Sequence, residues 1–250
     1  MSLRVERDGP VLRLTLARPG KHNAFDRELI ASLTEALSAV GEARAVVLAG
    51  DGESFSAGGD IGEMQEAIDR TPEQNLADGR GWQSLLEAVD GCPAPVVAAV
   101  HGGAFGGACG ILACSDIVVA SREARFGFSE VRIGIVPAVI SPYVVARIGA
   151  GAARALFTTG DRFDAETALR IGLVTEVADD LDAAVEGVIG SLLAAAPGAA
   201  RIAKHLARAP RPGDEMVRLI AELRASEEGQ EGLRAFLERR PARWRDERPS

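Results

Sequence analysis

The chain has 250 residues, of which 47% are hydrophobic, 26% charged and 4% aromatic. That length and balance fit one or two folded domains and exclude a disordered chain, and no heptad seam or Gly-x-y period supports a fibre. A formal net charge of −8 disfavours general binding to polyphosphate backbones, so no nucleic-acid partner is expected.

Leu3 to Glu6 and Val11 to Leu16 read as strands flanking the hairpin signal Asp8-Gly9-Pro10. Charges at Arg4, Glu6, Arg7 and Asp8, with no apolar stretch among them, do not make a signal peptide. Arg18 to Asn23 is a loop. Asp26 then caps a helix whose apolar residues Leu29, Ile30, Leu33, Leu37 and Val40 fall at helical spacing. Ala45 to Ala49 is a short continuous apolar run, as expected of a strand buried on both faces. Gly50 to Asp60 is a polar, glycine-rich loop, and Ile61 to Asp69 and Glu73 to Val89 read as helices. Pro95 to Val100 is a second buried strand, His101 to Gly107 a second glycine loop, and a helix of small residues runs from there to Cys114. Asp116 to Ala120 is a third buried strand. The stretch from Pro93 to Ser115 has no Asp, Glu, Lys or Arg, but two prolines and five glycines break it, so no membrane span is expected.

Strand, loop and helix recur in units of roughly 50 residues, which suggests stacked β–β–α turns around a central sheet. Val144 to Ile148, Ala152 to Thr158 and Asp164 to Arg170 read as helices, and Leu173 to Val177 as the last strand. Beyond it lie helices only: one marked by Leu181, Val185, Val188, Ile189 and Leu192, one starting at Pro197, and one or two from Pro212 to Glu238. The expected organisation is an α/β spiral core over residues 1–180 and a helical C-terminal region over 181–250. The last 50 residues hold 12 Arg/Lys against 9 Asp/Glu. Apolar stripes on such helices bury against the parent domain or a partner subunit.

Several chemistries have no motif here. There is no G-x-x-x-x-G-K-S/T and no G-x-S-x-G. His22, His101 and His205 have no helical pairing with acids or with one another, so no metal site is expected. Gly149-Ala150-Gly151 follows a helix rather than a strand, and no dinucleotide cofactor is expected. Cys92, Cys109 and Cys114 form no C-x-x-C pair and read as reduced thiols of a cytoplasmic protein.

What remains is the pair of glycine loops, each following a buried strand and preceding a helix. Helix N-termini leave N–H groups unpaired and carry partial positive charge. Two such N–H groups aimed at one point form an oxyanion hole, worth about 3 kcal/mol per donor to a developing enolate. The same spacing also suits tight packing turns.

Ser56-Ala57-Gly58-Gly59-Asp60-Ile61 and His101-Gly102-Gly103-Ala104-Phe105-Gly106-Gly107-Ala108 resemble the two glycine segments of the crotonase, or enoyl-CoA hydratase/isomerase, superfamily. Asp116 to Ala120 with Ala124-Arg125-Phe126-Gly127, Thr159-Gly160-Asp161-Arg162, Gly172-Leu173-Val174 and Phe236 to Pro241 are similar to further family segments in the same order. The resemblance spans nearly the whole chain. It implies a repeated β–β–α spiral with a helical extension, assembled as a homotrimer or hexamer, and an acyl-CoA thioester as substrate, with coenzyme A part of that substrate and no separate cofactor. It places the oxyanion N–H groups at Gly59 and Gly107, flanked by Gly58 and Gly106. Lys21 and His22 become candidates to meet the CoA phosphates, a solvated loop being the other reading. Ala24, Ala57, Asp60 and Ile61 match positions along the pantetheine and adenine.

In the same resemblance Glu130, after Ser129, matches one of two glutamates usual in the hydratases, and the second position holds Gly110. A buried Glu130 would have a raised pKa suited to proton transfer near neutrality. The run from Ser129 to Tyr143 looks most like bacterial branched-chain members of the methylglutaconyl-CoA hydratase type. The implied activity is hydration or dehydration of a short or branched enoyl-CoA through a stabilised enolate and one glutamate. The alternatives are Δ3,Δ2-enoyl-CoA isomerisation, which also uses one glutamate there, and acyl-CoA binding without turnover. Tyr143 and His101 are expected to serve packing and hydrogen bonding, and restoring a glutamate at 110 is expected to aid hydration.

Overall fold

The computed structural model describes residues 2–208 and 212–245. β1 (Leu3–Asp8) and β2 (Val11–Leu16) form an antiparallel hairpin, and α1 (Arg27–Ser38) follows with the Asp26 carboxylate accepting from Leu29 N. β3 (Ala45–Gly50) lies parallel to β2. α2 (Ile61–Ala67) and α3 (Pro72–Asp90) come next, the latter opened by a reciprocal cap between Thr71 and Gln74. β4 (Val96–Val100) pairs parallel with β3, and β5 (Gly103–Phe105) leads into α4 (Gly107–Cys114). β6 (Ile117–Ser121) and β7 (Arg125–Gly127) are followed by a 3-10 turn at Ser129–Ile133 and by α5 (Ser141–Thr159). β8 (Arg162–Asp164), α6 (Ala165–Arg170) and β9 (Glu176–Ala178) complete the spiral. α7 (Leu181–Ala194), α8 (Pro197–Arg208), α9 (Asp214–Ala225) and α10 (Glu227–Glu238) form the C-terminal part. Residues 209–211 and 246–250 of the expected helical tail, and Met1, lie outside the described residues.

The main sheet has the order β1-β2-β3-β4-β6-β9, parallel except for the first hairpin. Its central strands are apolar at every position because both faces are covered. Val46, Leu48, Val96, Ala98, Val100, Val118 and Ala120 point into the large core with residues of α1, α3, α4 and α5. Their neighbours Val47, Val97, Ala99 and Val119 point the other way, against Val185, Ile189 and Leu193 of α7. α7 thus seals the second face of the sheet, although it lies beyond the residue-180 boundary. α8 is tied down by Lys204, whose ammonium meets Asp116 Oδ2 at 2.6 Å and donates to Ala94 O at 3.1 Å. By contrast α10 presents Leu233, Phe236 and Leu237 outward, Phe236 being 81% exposed. No single helix among the described residues is long and apolar enough to cross a membrane.

Three short strands depart from the sequence expectation. β5 lies inside the expected glycine loop, and β7 and β8 were not anticipated. Together they make a second sheet, β5-β7-β8, of three residues each, too short to show a period of two. The last strand of the main sheet begins at Glu176 rather than Leu173. Leu173 and Val174 are buried, but their N–H groups both donate to Ala168 O, closing a turn instead of a ladder. The two helices expected on either side of Gly149 form α5 with a kink at that residue, where φ is 76° and ψ 157°.

Ile189→Ala should leave a cavity between α7 and the sheet and cost about 2–5 kcal/mol. Chemical denaturation would show this as a lower midpoint with an unchanged slope.

Candidate active site

The site forms where the chain leaves β3 and β4 at their C-terminal ends. The two departing segments are stitched together by backbone bonds: Phe55 N to His101 O at 2.9 Å, Ser56 N to Gly103 O at 2.9 Å and Phe105 N to Ser56 O at 3.1 Å. On the other side Phe25 N donates to Gly58 O at 2.7 Å and Asp60 N to Phe25 O at 2.9 Å. Gly58 has a φ of +91°, and a Cβ there would stand 2.8 Å from Phe105 O. Only glycine permits that approach. It sets Gly58 against Phe105 and Gly106, so that Gly59 and Gly107 each follow directly on the contact between the two segments. Gly107 opens α4, so its N–H has no partner within the helix. Neither N–H donates to another described residue.

Glu130 comes to this point from the 3-10 turn. Gly106, at φ +53°, leaves room for it: a Cβ at 106 would lie 3.3 Å from Glu130 Oε1. Glu130 Oε2 is buried and has no hydrogen-bond partner. Burial pushes the carboxyl above its ordinary pKa. Beside it the Cys109 thiol donates to Ala104 O at 3.1 Å, and burial pushes its pKa up to about 12. Ser129 is exposed. The structure therefore joins Gly106, Gly107 and Glu130 on one side to Gly58 and Gly59 on the other.

The loop expected to meet CoA runs along the same edge. Lys21, His22 and Ala57 are exposed and Ile61 is 73% exposed, whereas Ala24 is buried. Asp60 faces inward. Its Oδ2 accepts from Lys21 Nζ and Arg18 Nη2, each at 2.9 Å, and Oδ1 accepts from Gly62 N at 2.8 Å, capping α2. The Lys21 ammonium leads in holding this carboxyl at a pKa of about 2, aided by Gly62 N and Arg18. Asp60 thus orients the loop through its carboxylate, and Lys21 reaches solvent while paired to it. Asn23, which has no signal of its own in the sequence, is fully buried and ties the loop to the first glycine segment by donating to Asp51 O and Ser54 O at 2.8 Å.

A cavity of about 710 Å³ opens between α1, α2 and α3 with Gly59 in its wall. Met64 and Trp82 line it and pack against Gly59 and Gly107. Met64 Cε lies 3.1 Å from where a Gly59 Cβ would be, and Trp82 Cη2 2.3 Å from where a Gly107 Cβ would be. Trp82 also packs against Phe25 with the rings tilted by 59° and their centroids 5.1 Å apart. Helical spacing alone made both residues ordinary members of amphipathic helices. His101 Nε2 lies 2.8 Å from Gly52 O, the structural role expected of it. Tyr143 packs at the opposite end of the sheet, away from Glu130.

Gly110 departs from expectation in a second way. A Cβ there would meet Ile140 Cγ2 at 2.3 Å and Leu86 Cδ2 at 3.3 Å. The space beside Gly110 is filled by hydrocarbon, so a glutamate at 110 would overpack the core unless Ile140 moved aside. Gly110→Ala should cost about 1–3 kcal/mol. Combined with Ile140→Ala it should cost less than the two singles added, by about 0.5–3 kcal/mol in a double-mutant cycle.

Glu130 also gives a stability signature. A carboxyl whose pKa is higher folded than unfolded retains its proton better in the native state, so its destabilising effect grows as pH rises through that window. Glu130→Gln should raise the thermal midpoint at about pH 8 and change it little at about pH 4. An equal effect at both pH values would mean that the carboxyl is not desolvated.

Comparison with known proteins gives the family. The enoyl-CoA hydratase/isomerase family model matches residues 6–247. Cyclohexa-1,5-dienecarbonyl-CoA hydratase of Thauera aromatica is 33% identical over 96% of this chain and 95% of its own. Crotonyl-CoA hydratase of Syntrophomonas wolfei is 32% identical over 96% of both chains. Among solved structures, AtuE of Pseudomonas aeruginosa superposes with a TM-score of 0.94 at 37% identity, covering 98% of this chain and 100% of that one. With its fold, its paired glycine segments and its matched length all in agreement, the chain belongs to the enoyl-CoA hydratase/isomerase family of the crotonase superfamily.

Proposed function

We propose that the protein hydrates a short or branched 2-enoyl-CoA thioester, reversibly, with Glu130 as its single acid/base group. The observation that carries this reading is the buried Glu130 Oε2, unpartnered among the described residues, on a carboxyl packed against Gly106, while neither Gly59 N nor Gly107 N donates to another described residue. The thioester oxygen accepts from Gly59 N and Gly107 N. The Glu130 carboxylate takes a proton from water as the water oxygen bonds to the β-carbon, and the π electrons move toward the thioester oxygen. The resulting enolate sits on the two N–H donors, and protonated Glu130 then delivers its proton to the α-carbon. One water is added across the double bond and the carboxylate is regenerated.

Other features support parts of this reading. The cavity walled by Met64, Trp82 and Phe25 is apolar where an acyl group would leave the oxyanion hole. The exposed Lys21 and His22 suit the CoA phosphates, with Ala57 and Ile61 along the same edge. Three buried free thiols suit a reducing compartment such as the cytoplasm. The outward apolar side chains of α10 suit a trimer-based assembly, which light scattering would report as at least three chains. Relatives named as hydratases favour hydration over isomerisation.

The test is loss of the conjugated enoyl absorbance when the protein is added to crotonyl-CoA or a branched enoyl-CoA. Glu130→Gln should lower kcat by about 10²- to 10⁴-fold, the range for a positioned general acid/base. KM should change little, because the carboxyl touches the reacting carbons and not the nucleotide. Full activity in a folded Glu130→Gln protein would assign the chemistry elsewhere. A 3-enoyl-CoA that gains absorbance while 2-enoyl-CoA stays unchanged would establish isomerisation instead.

A further inference from the structure

A second cavity, of about 780 Å³, lies at the other end of the sheet. Pro95 and Asp116 in its wall precede β4 and β6, whereas the catalytic segments follow β3 and β4, so the sheet separates the two sites. The volume is within the range of small-molecule pockets. Among the lining residues Arg147 of α5 and Lys204 and Arg208 of α8 face two carboxylates, Asp90 and Asp116, which leaves one positive charge in excess in the wall, with the exposed Glu87 outside the lining acting on Tyr143. Lys204 is paired with Asp116 at 2.6 Å and Arg208 with Asp90 at 3.2 Å. Arg147 has no carboxylate partner among the described residues. Its three hydrogen bonds go to neutral oxygens: Gly172 O at 2.8 Å, Ser115 O at 3.2 Å and Thr175 Oγ1 at 3.2 Å. Two of its five N–H groups stay unused. Burial disfavours its charge, against a weaker opposing pull from Asp116, which is itself paired with Lys204. The Tyr143 hydroxyl, on the same helix one turn earlier, also makes no hydrogen bond in the described structure.

We propose that this cavity binds a small monocarboxylate with an apolar body, its carboxylate held by Arg147 and Tyr143. A guanidinium with two free N–H groups offers the planar fork that matches a carboxylate. One excess positive charge balances a monoanion and not a phosphate dianion. The remaining wall, which includes Ala113, Pro142, Ala146 and Leu192, is apolar and gives a short hydrocarbon chain a place to lie. The proposal stands on this cavity alone and is independent of the reaction assigned to Glu130.

Tyr143 is the only tyrosine in the chain, so ring-labelled tyrosine yields one reporter inside the cavity. Hexanoate, added to the full-length protein in its own oligomeric state, should shift that signal saturably. Hexylamine should not, and inorganic phosphate should bind more weakly than hexanoate. Arg147→Lys keeps the charge but loses the fork and should weaken hexanoate binding. Ala207→Glu places a carboxylate at an exposed position of the cavity wall without removing any contact, and should weaken hexanoate at least about tenfold. The proposal is overturned if hexanoate leaves Tyr143 unmoved, or if hexylamine binds as well. It is equally overturned if phosphate binds more tightly, or if Ala207→Glu retains full affinity for hexanoate.

Discussion

Glu130 Oε2 is buried without a hydrogen bond, and a charged group in that position is expensive unless something holds it there. The holding is done by aromatic packing beneath the 3-10 turn. Phe128, the residue before the turn, meets Phe157 of α5 edge-on at 5.0 Å and Phe163 of β8 at 6.0 Å, and Phe126 of β7 stacks on Phe163 at 5.7 Å. Four of the eight phenylalanines in a chain poor in aromatics are spent on this cluster. At the other end of the turn Gly134 takes the left-handed conformation and Ile135 N closes onto Glu130 O at 3.2 Å. The second sheet, small as it is, therefore makes the floor on which the carboxyl stands.

The opposing half of the site is built from backbone. Gly58 and Gly106 both take positive φ, and a Cβ would collide with the Phe105 carbonyl at the first and crowd Glu130 at the second. The result is two N–H groups whose positions follow from strands β3 and β4 rather than from rotamers. Such donors need little reorganisation when negative charge arrives, which is what makes an oxyanion hole effective. Asn23, Arg18 and Asp60 then tie the N-terminal loop to the same backbone.

Much of this was legible in the residues. Continuous apolar runs at Ala45 to Ala49 and Pro95 to Val100 placed the buried strands, and the glycine segments after them are where the chain turns back at the ends of β3 and β4. What could not be read was whatever depends on contacts between segments distant in sequence. Three-residue strands have no periodicity to detect. Nothing at Gly110 announces that Ile140, thirty positions on, fills the space above it. Trp82 and Met64 carry helical spacing that any core-facing residue would show, and only the fold presses them against Gly107 and Gly59. Asp60 sits in the matched segment, yet its role depends on Lys21 and Arg18 folding back over it.

With Ile140 and Leu86 filling the second position, one carboxyl must move every proton, and this constrains the electrostatics of the proposed hydration. In the resting site the negative charge is on Glu130. As water is deprotonated and adds, the charge moves to the thioester oxygen, where Gly59 N and Gly107 N receive it. As the α-carbon is protonated, it returns to Glu130. The net charge of the site stays at minus one throughout, and carboxylate and enolate are never fully charged together. In a site where burial disfavours the charged carboxyl, moving a single charge between two fixed points costs far less than creating a second one. The burial that raises the Glu130 pKa also brings the carboxyl nearer in proton affinity to the carbon it serves. The apolar wall at Gly110 is thus compatible with hydration, provided that one carboxyl acts as base and then as acid within the same turnover.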